Sequence, residues 1–369
     1  MSVKHFGFIG FGLIGGSIAR ALKAFVKESP SLTAFQYNEK PSRSLTLAKE
    51  DGVLDNITTN LSDFASCDMI FLCAPVQKNI EYLALLKDII SPNCLLTDVG
   101  SVKGNIHEAV SALELEHCFI GGHPMTGSEK TGYEHSNVLL LENAYYILTP
   151  TAKSRAADLD YYTGLVKTMG AIPIVLEPKE HDKITAAISH VPHIIAAQLV
   201  NLVQCAGPLE PKMRLLAAGG FKDITRIASS SPEIWENICM SNKESICEML
   251  TSYQNSLEDA KQMILSENTT GLYHMFDIAG NYRDSIPANS KGALMSSFEL
   301  FVDIKDETGA LALLATLLSL HGISIKNIGI IHNREFEQGV LRIEFYDKDA
   351  VAKATKVLDT NGYHIYLRK

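Results

Sequence analysis

His123 is the side chain of this sequence best placed to move a proton near neutral pH. It stands in Gly121-Gly122-His123-Pro124-Met125-Thr126-Gly127-Ser128-Glu129-Lys130-Thr131-Gly132, just where the apolar run Cys118-Phe119-Ile120 ends. An imidazole is thereby set at the end of a predicted buried strand, among glycines, hydroxyls and the carboxylate of Glu129. In an open α/β sheet that end is where ligands and chemistry collect. The plain alternative is a structural loop around a satisfied histidine. Two further clusters carry reactive types. Ser189-His190-Val191-Pro192-His193 puts two imidazoles at i and i+3 on one helix face, with no third ligand nearby in sequence to make a metal site. Gly219-Gly220-Phe221-Lys222-Asp223-Ile224-Thr225-Arg226 precedes Trp235, the single tryptophan. Arg226 suits a carboxylate, which guanidinium grips in bidentate fashion, unless it merely pairs with Asp223 while Trp235 fills core.

A nucleotide is the expected second ligand. Gly10-Phe11-Gly12-Leu13-Ile14-Gly15 follows an apolar strand and opens a helix. Gly10 would permit the tight turn, Gly12 the approach of a pyrophosphate, and Gly15 close packing of helix on strand, while the helix N-terminus offers its N–H groups. At the end of the second strand the sequence reads Asn38-Glu39-Lys40-Pro41-Ser42-Arg43. Glu39 on a ribose hydroxyl would favour NAD. Asn38 with Lys40 or Arg43 facing the site would favour NADP. Ala74 and Pro75, and the segment from Asp98 to Lys103, end later strands on the same side. Ser101 there could serve the site or cap the next helix.

These residues need a scaffold, and the pattern supplies one. Strand-like runs at 6–9, 32–37, 69–74, 95–98, 118–122, 145–148 and 172–176 alternate with helical stretches, which predicts a mostly parallel, doubly wound α/β sheet over residues 1–178. Residues 179–284 read as helical, with helices over 181–205, 211–216, 232–266 and 269–282. A linker is predicted over 285–296. Residues 297–369 read as βαββαβ, a ferredoxin-like unit. Composition agrees with globular domains: 369 residues, 46% apolar and 20% charged, with a net charge of −9 and no basic run. That balance argues against nucleic acid as a partner. No apolar run is read as long enough to span a bilayer, and no leader is expected before Phe6. Seven scattered cysteines without a C-x-x-C fit reduced thiols and a cytoplasmic location.

Taken together and in this order, the glycine loop, Thr97–Lys103, Gly122–Glu129, Ser189–His193 and Phe221–Ala228 resemble prephenate dehydrogenase over residues 1 to about 285, and the tail resembles an ACT domain. The resemblance implies a Rossmann-type nucleotide-binding domain, a helical substrate and dimerisation domain, and a homodimer. It also implies oxidative decarboxylation of prephenate to 4-hydroxyphenylpyruvate with NAD, NADP not being excluded, on the route to tyrosine. His123 would take the proton of the ring hydroxyl with Ser101 beside it. Arg226 would hold a carboxylate, and Glu129, His193, Gly219, Asp223 and Trp235 would surround the substrate. No metal is implied. Gly309 and Ala310 would bind an amino-acid effector, tyrosine, that inhibits the enzyme. Arogenate, with an amino group where prephenate has a keto group, is the alternative substrate. Two competing readings are a β-hydroxyacid dehydrogenase working through Lys183 or Lys222, and a non-catalytic sensor of dinucleotide and amino acid.

Overall fold

The computed structural model describes residues 4–27, 29–38, 40, 42–127, 130–286, 298–304, 307–331 and 339–366. They fall into two compact units, Met1–Ser285 and Ile286–Lys369. The first is built on β1 (His5–Ile9), β2 (Ser31–Phe35), β3 (Asn56–Thr58), β4 (Met69–Leu72) and β5 (Leu95–Asp98), all parallel in the order β3-β2-β1-β4-β5. Then come β6 (Ile120–Pro124), β7 (Tyr145–Pro150) and β8 (Ile172–Val175) in the order β6-β7-β8. A parallel bridge from Leu96 to Phe119 lays β6 beside β5. The doubly wound reading holds, with one refinement: β6 and β7 run antiparallel. The short β3 carries too few apolar residues for the period-2 pattern to announce it.

Strand alternation sorts the core onto two faces. Phe6, Phe8, Met69, Phe71 and Leu95 pack on one side, where Phe8 and Phe71 stack at 5.3 Å. Ile9, Ile70, Leu72 and Leu96 pack on the other. The strand order reverses around β1 and β4, so their carboxyl ends open the crevice where such sheets bind ligands. β5 and β6 end beside it. There Asp98 and Lys103, both wholly buried, form an ion pair at 2.5 Å, and Lys103 Nζ also donates to Gly122 O at 2.7 Å.

Helices follow, and among the described residues between 179 and 285 no strand occurs. Two differences from the sequence reading have local causes. The helix expected over 232–266 breaks into Pro232–Ser241 and Lys243–Leu265, because the buried Asn242 side chain turns away to bond Asp182 O at 2.8 Å and His190 Nδ1 at 3.1 Å. Helix Gly219–Thr225, unread in the sequence, forms despite its two leading glycines. The expectation that no apolar run reaches bilayer length is also corrected. Helix runs from Pro178 to Gln204, long and apolar enough to cross a membrane by length and composition alone. Pro192, which lacks an N–H, would ordinarily stop it. A π turn over Ala186–His190 lies just before that proline and carries the helix through. This helix buries His181, Asp182, Thr185 and His190 within the unit, while Ile188 and Leu202 are exposed.

The second unit has β9 (Phe298–Ile304), helix Ala310–Leu320, β10 (Ile325–Ile331), β11 (Gly339–Phe345), helix Lys348–Thr360 and β12 (Ile365–Tyr366). The βαββαβ order is as expected, and the sheet order β10-β11-β9-β12 sets the first strand between the third and the last. Leu300, Val302, Leu341, Ile343 and Phe345 of the sheet bury against Leu314, Leu318, Ala354 and Leu358 of the helices.

The Asp98–Lys103 pair gives a stability test. Removing one partner of a buried pair leaves an uncompensated charge and costs about 3–5 kcal/mol. Lys103→Met should lower the unfolding free energy of the first unit, read by urea titration, by that amount, whereas a change below about 1 kcal/mol would show the pair to be dispensable.

Candidate active site

The glycine loop behaves as its spacing predicts. Gly10 has φ +86°, and a Cβ there would lie 2.5 Å from Ala74 N. A Cβ at Gly15 would lie 2.9 Å from Gly10 O and 3.2 Å from Cys73 Cβ. Around Gly12 a Cβ would meet nothing within 4 Å. That is the open approach a pyrophosphate needs, and helix Leu13–Phe25 begins there with no side chain capping it. Leu13 and Ile14 form its first turn, Ile14 packing on the core. A cleft of about 350 Å³ adjoins the loop, lined by Gly10, Phe11, Tyr37, Asn38, Lys40, Ser42, Ala74 and Lys78 among others. Asn38 and Ala74 are therefore where a nucleotide would lie. Arg43 is exposed on the helix Arg43–Glu50 and does not line the cleft. Pro75 leads into helix Val76–Leu86. Glu39 lies outside the described residues. Asp98, read as a cofactor-side residue, has its carboxylate buried and taken by Lys103 Nζ, Gly100 N at 2.9 Å and Gly122 N at 3.4 Å. The reason is its place inside the sheet, where a charge needs partners of its own.

His123 sits on β6, opposite Ile147 of β7, with its ring half-buried. Its Nδ1 lies 2.7 Å from His181 Nε2, and His181 Nδ1 lies 2.8 Å from Asp182 Oδ1. Asp182 Oδ1 accepts from Lys103 N at 2.8 Å, and its Oδ2 from Gly104 N at 2.7 Å. Those amides open helix Gly104–Ala112, so Asp182 does the capping that the sequence left open for Ser101. Ser101 is half-buried in the turn after β5. Burial lowers the His123 pKa well below the ordinary imidazole value, helped by His181, Lys103 and His190. Burial likewise lowers Lys103, against the pull of Asp98. His123 is thus held neutral, ready to accept a proton.

The helical cluster converges on the same region. His190 is buried, its pKa pushed down to about 4 by desolvation. Its Nδ1 reaches Asn242, and Asn242 reaches Asp182 O. Trp235 is half-buried rather than core, with His193 stacked on it at 3.8 Å and His190 edge-on at 6.1 Å. His193 Nδ1 donates to Ser189 O at 2.9 Å. Burial lowers the His193 pKa, and the nearby Arg226 guanidinium adds to this. Arg226 is exposed at the start of the turn Arg226–Ser229. Asp223 and Gly219 are exposed on the preceding helix. Glu129 lies outside the described residues. Among the described residues no His, Cys, Asp and Glu cluster could hold a metal. All seven cysteines are unpaired. The lysines of the competing dehydrogenase reading, Lys183 and Lys222, are exposed, and Lys183 lies 3.7 Å from Glu248. Sequence reasoning missed His181, Asp182, Lys103 and Asn242 as parts of this site. Adjacent His and Asp in the first turns after Pro178 were the available signal.

Comparison with known proteins matches residues 18–175 to the nucleotide-binding domain of prephenate dehydrogenase and residues 177–278 to its dimerization domain. A prephenate dehydrogenase of Bacillus subtilis is 35% identical over 355 residues, 96% of this chain and 95% of that one. The crystal structure of Aquifex aeolicus prephenate dehydrogenase with hydroxyphenyl propionate and NAD+ superposes with a TM-score of 0.72 and 31% identity, over 78% of this chain and 99% of that one. A Synechocystis arogenate dehydrogenase structure follows at TM-score 0.68 and 28% identity, over 76% and 99%.

The two leading glycines should respond differently to alanine. Gly10→Ala forces a left-handed backbone and a clash, so it should lower stability by about 1–3 kcal/mol as well as abolish dinucleotide binding. Gly12→Ala should leave the melting temperature unchanged and weaken NAD binding at least tenfold, read by nicotinamide titration. Unweakened binding in Gly12→Ala would mean that the pyrophosphate lies elsewhere.

Proposed function

The chain belongs to the prephenate dehydrogenase family, and on that premise we propose that it oxidatively decarboxylates prephenate to 4-hydroxyphenylpyruvate with NAD as oxidant. The observation that carries this reading is an imidazole, His123, held neutral by burial at the carboxyl end of β6, the same edge of the strands at which β1 ends in the open glycine loop. When bound, NAD would supply the hydride acceptor for the ring carbinol carbon. Gly10, Gly12, Gly15 and the first turn Leu13–Ile14 would hold its pyrophosphate, with Asn38 and Ala74 toward the ribose and Pro75 nearby, and Glu39 is proposed to bond a ribose hydroxyl.

His123 takes the carbinol proton as hydride leaves, which relieves the positive charge developing on that carbon. The ring carboxylate then departs as carbon dioxide, and its bonding pair completes the aromatic ring. The imidazolium of His123 returns the proton to the phenolate oxygen, so no net proton is released. Ser101 would steady the same hydroxyl. Arg226 would grip a substrate carboxylate, with the His193–Trp235 stack as the apolar wall and Asp223 and Gly219 at the rim, and Glu129 is proposed to act on the substrate with them. The second reading, arogenate as substrate, is favoured by the likeness to the Synechocystis structure.

The Ile286–Lys369 unit we assign as an ACT module. Its Gly309 adopts φ +91° at the start of helix Ala310–Leu320, which has no side-chain cap; Ala310 N donates to Glu307 O at 3.2 Å, and the amides that follow it in the first turn would meet an amino-acid carboxylate. Tyrosine is the proposed effector. The exposed Ile188, Leu202, Leu215, Leu216 and Phe276 of the helical part support a homodimer.

The purified chain should reduce NAD with prephenate, faster than with arogenate and faster than it reduces NADP. His123→Asn should cut kcat by about 10²- to 10⁴-fold, with prephenate affinity largely kept. The acid limb of kcat/KM should fall below about pH 6.5, because protonation of His123 removes the base and its pKa is lowered. Tyrosine should inhibit, and the solution mass should be that of a dimer. Dinucleotide binding without turnover on either substrate would leave the sensor reading in its place.

A further inference from the structure

Resting on that reading, we propose that His181 and Asp182 act as a positioning pair that fixes His123 in the tautomer whose Nε2 accepts the substrate proton. Two backbone N–H groups, of Lys103 and Gly104, point at the carboxylate oxygens of Asp182 at 2.8 and 2.7 Å. A carboxylate used in this way is an acceptor, so the 2.8 Å contact with His181 is donated by the ring at Nδ1. With its hydrogen on Nδ1, a neutral His181 presents a lone pair at Nε2. That nitrogen lies 2.7 Å from His123 Nδ1, which therefore donates to it. The one remaining nitrogen of His123, Nε2, is left with a lone pair.

A doubly protonated His181 would break this chain of inference, and its surroundings oppose it. The ring is wholly buried, and its pKa is lowered, first by burial and further by the Lys103 ammonium, against the pull of Asp182 and Asp98. Among the described residues, the charged and titratable groups that act on His123 are His181 and His190 from the helix Pro178–Gln204 and Lys103 from the turn after β5. None of them is a carboxylate. The only acid in the relay, Asp182, reaches His123 through His181. The two rings meet at 72° with centroids 5.0 Å apart, so the contact is an in-plane hydrogen bond directed by geometry rather than a stack.

The pair also explains a sequence feature the fold does not need. Asp182 could cap helix Gly104–Ala112 without a histidine beside it. His181 supplies the link from that cap to the reacting base. The same pair joins the start of the long helix to the end of β5, so the first turns of the helical part aim a group carried by the sheet.

The first test is direct and needs no turnover. In full-length protein with ¹⁵N-labelled histidine, assigned through His123→Asn, the His123 ring should show a protonated Nδ1 and an unprotonated Nε2 at neutral pH. The opposite tautomer would overturn the proposal whatever the substrate. The second test is kinetic. His181→Phe removes the acceptor and should lower kcat about 10²-fold or more, with the KM for prephenate and the affinity for NAD changed less than about threefold. His181→Gln offers an amide oxygen to His123 and an amide N–H to Asp182, and should recover kcat to within about tenfold of wild type. Equal losses in the Phe and Gln variants, with melting temperature and NAD binding intact, would contradict the acceptor role. Absence of wild-type turnover would refute the proposed function, while the tautomer measurement still decides this inference.

Discussion

A buried lysine holds this site in place. Lys103 Nζ closes onto Asp98 at the end of β5 and onto Gly122 O at the end of β6, while its backbone N–H donates to Asp182 on the helical part. One residue thus ties two neighbouring strand ends and the first long helix of the next layer. A buried ion pair of this kind is poor evidence for net stability, since desolvation offsets most of the attraction. Its effect is on geometry. Gly122, fixed by Lys103 and Asp98, is followed by His123, so the base inherits a position set from behind.

The same arrangement tunes the base. An ammonium and two further imidazoles stand near His123, and burial adds its own penalty on charge, so the ring stays neutral in the pH range where it must accept a proton. The cofactor side works by absence of side chain instead. Gly10 and Gly15 bring loop, strand and helix into contact, and Gly12 leaves space. Beyond the loop, Tyr133 stacks on Phe11 at 5.6 Å, lies under the Arg20 guanidinium and donates to Asp51 at 2.9 Å. The approach to the nucleotide and the seat of the base are therefore fixed by separate contacts within one sheet.

Much of this was readable in sequence because the signals are local. The glycine spacing, the strand end at His123 and the helical pattern after Pro178 all depend on neighbours a few residues away. What escaped depends on distance along the chain. His181 meets His123 across 58 positions, and Asn242 meets His190 across 52. Asn242 broke a helix that periodicity ran straight through, because its side chain is recruited by a buried carbonyl and imidazole. The π turn before Pro192 is invisible to composition. The inward partners of Asp98 were equally hidden. It sits among cofactor-side residues, but its role inward, toward Lys103, follows only from the closure of β5 on β6. Glu39 and Glu129, on which ribose and substrate readings partly rest, fall outside the described residues.

The central claim is that one chain couples hydride removal to loss of carbon dioxide through His123. It is tested most directly by following NAD reduction and carbon dioxide release together, with prephenate and the purified chain. The account predicts one nicotinamide reduced for each carbon dioxide released, and loss of both together in His123→Asn. Carbon dioxide release without nicotinamide reduction, or undiminished turnover in that variant, would contradict it.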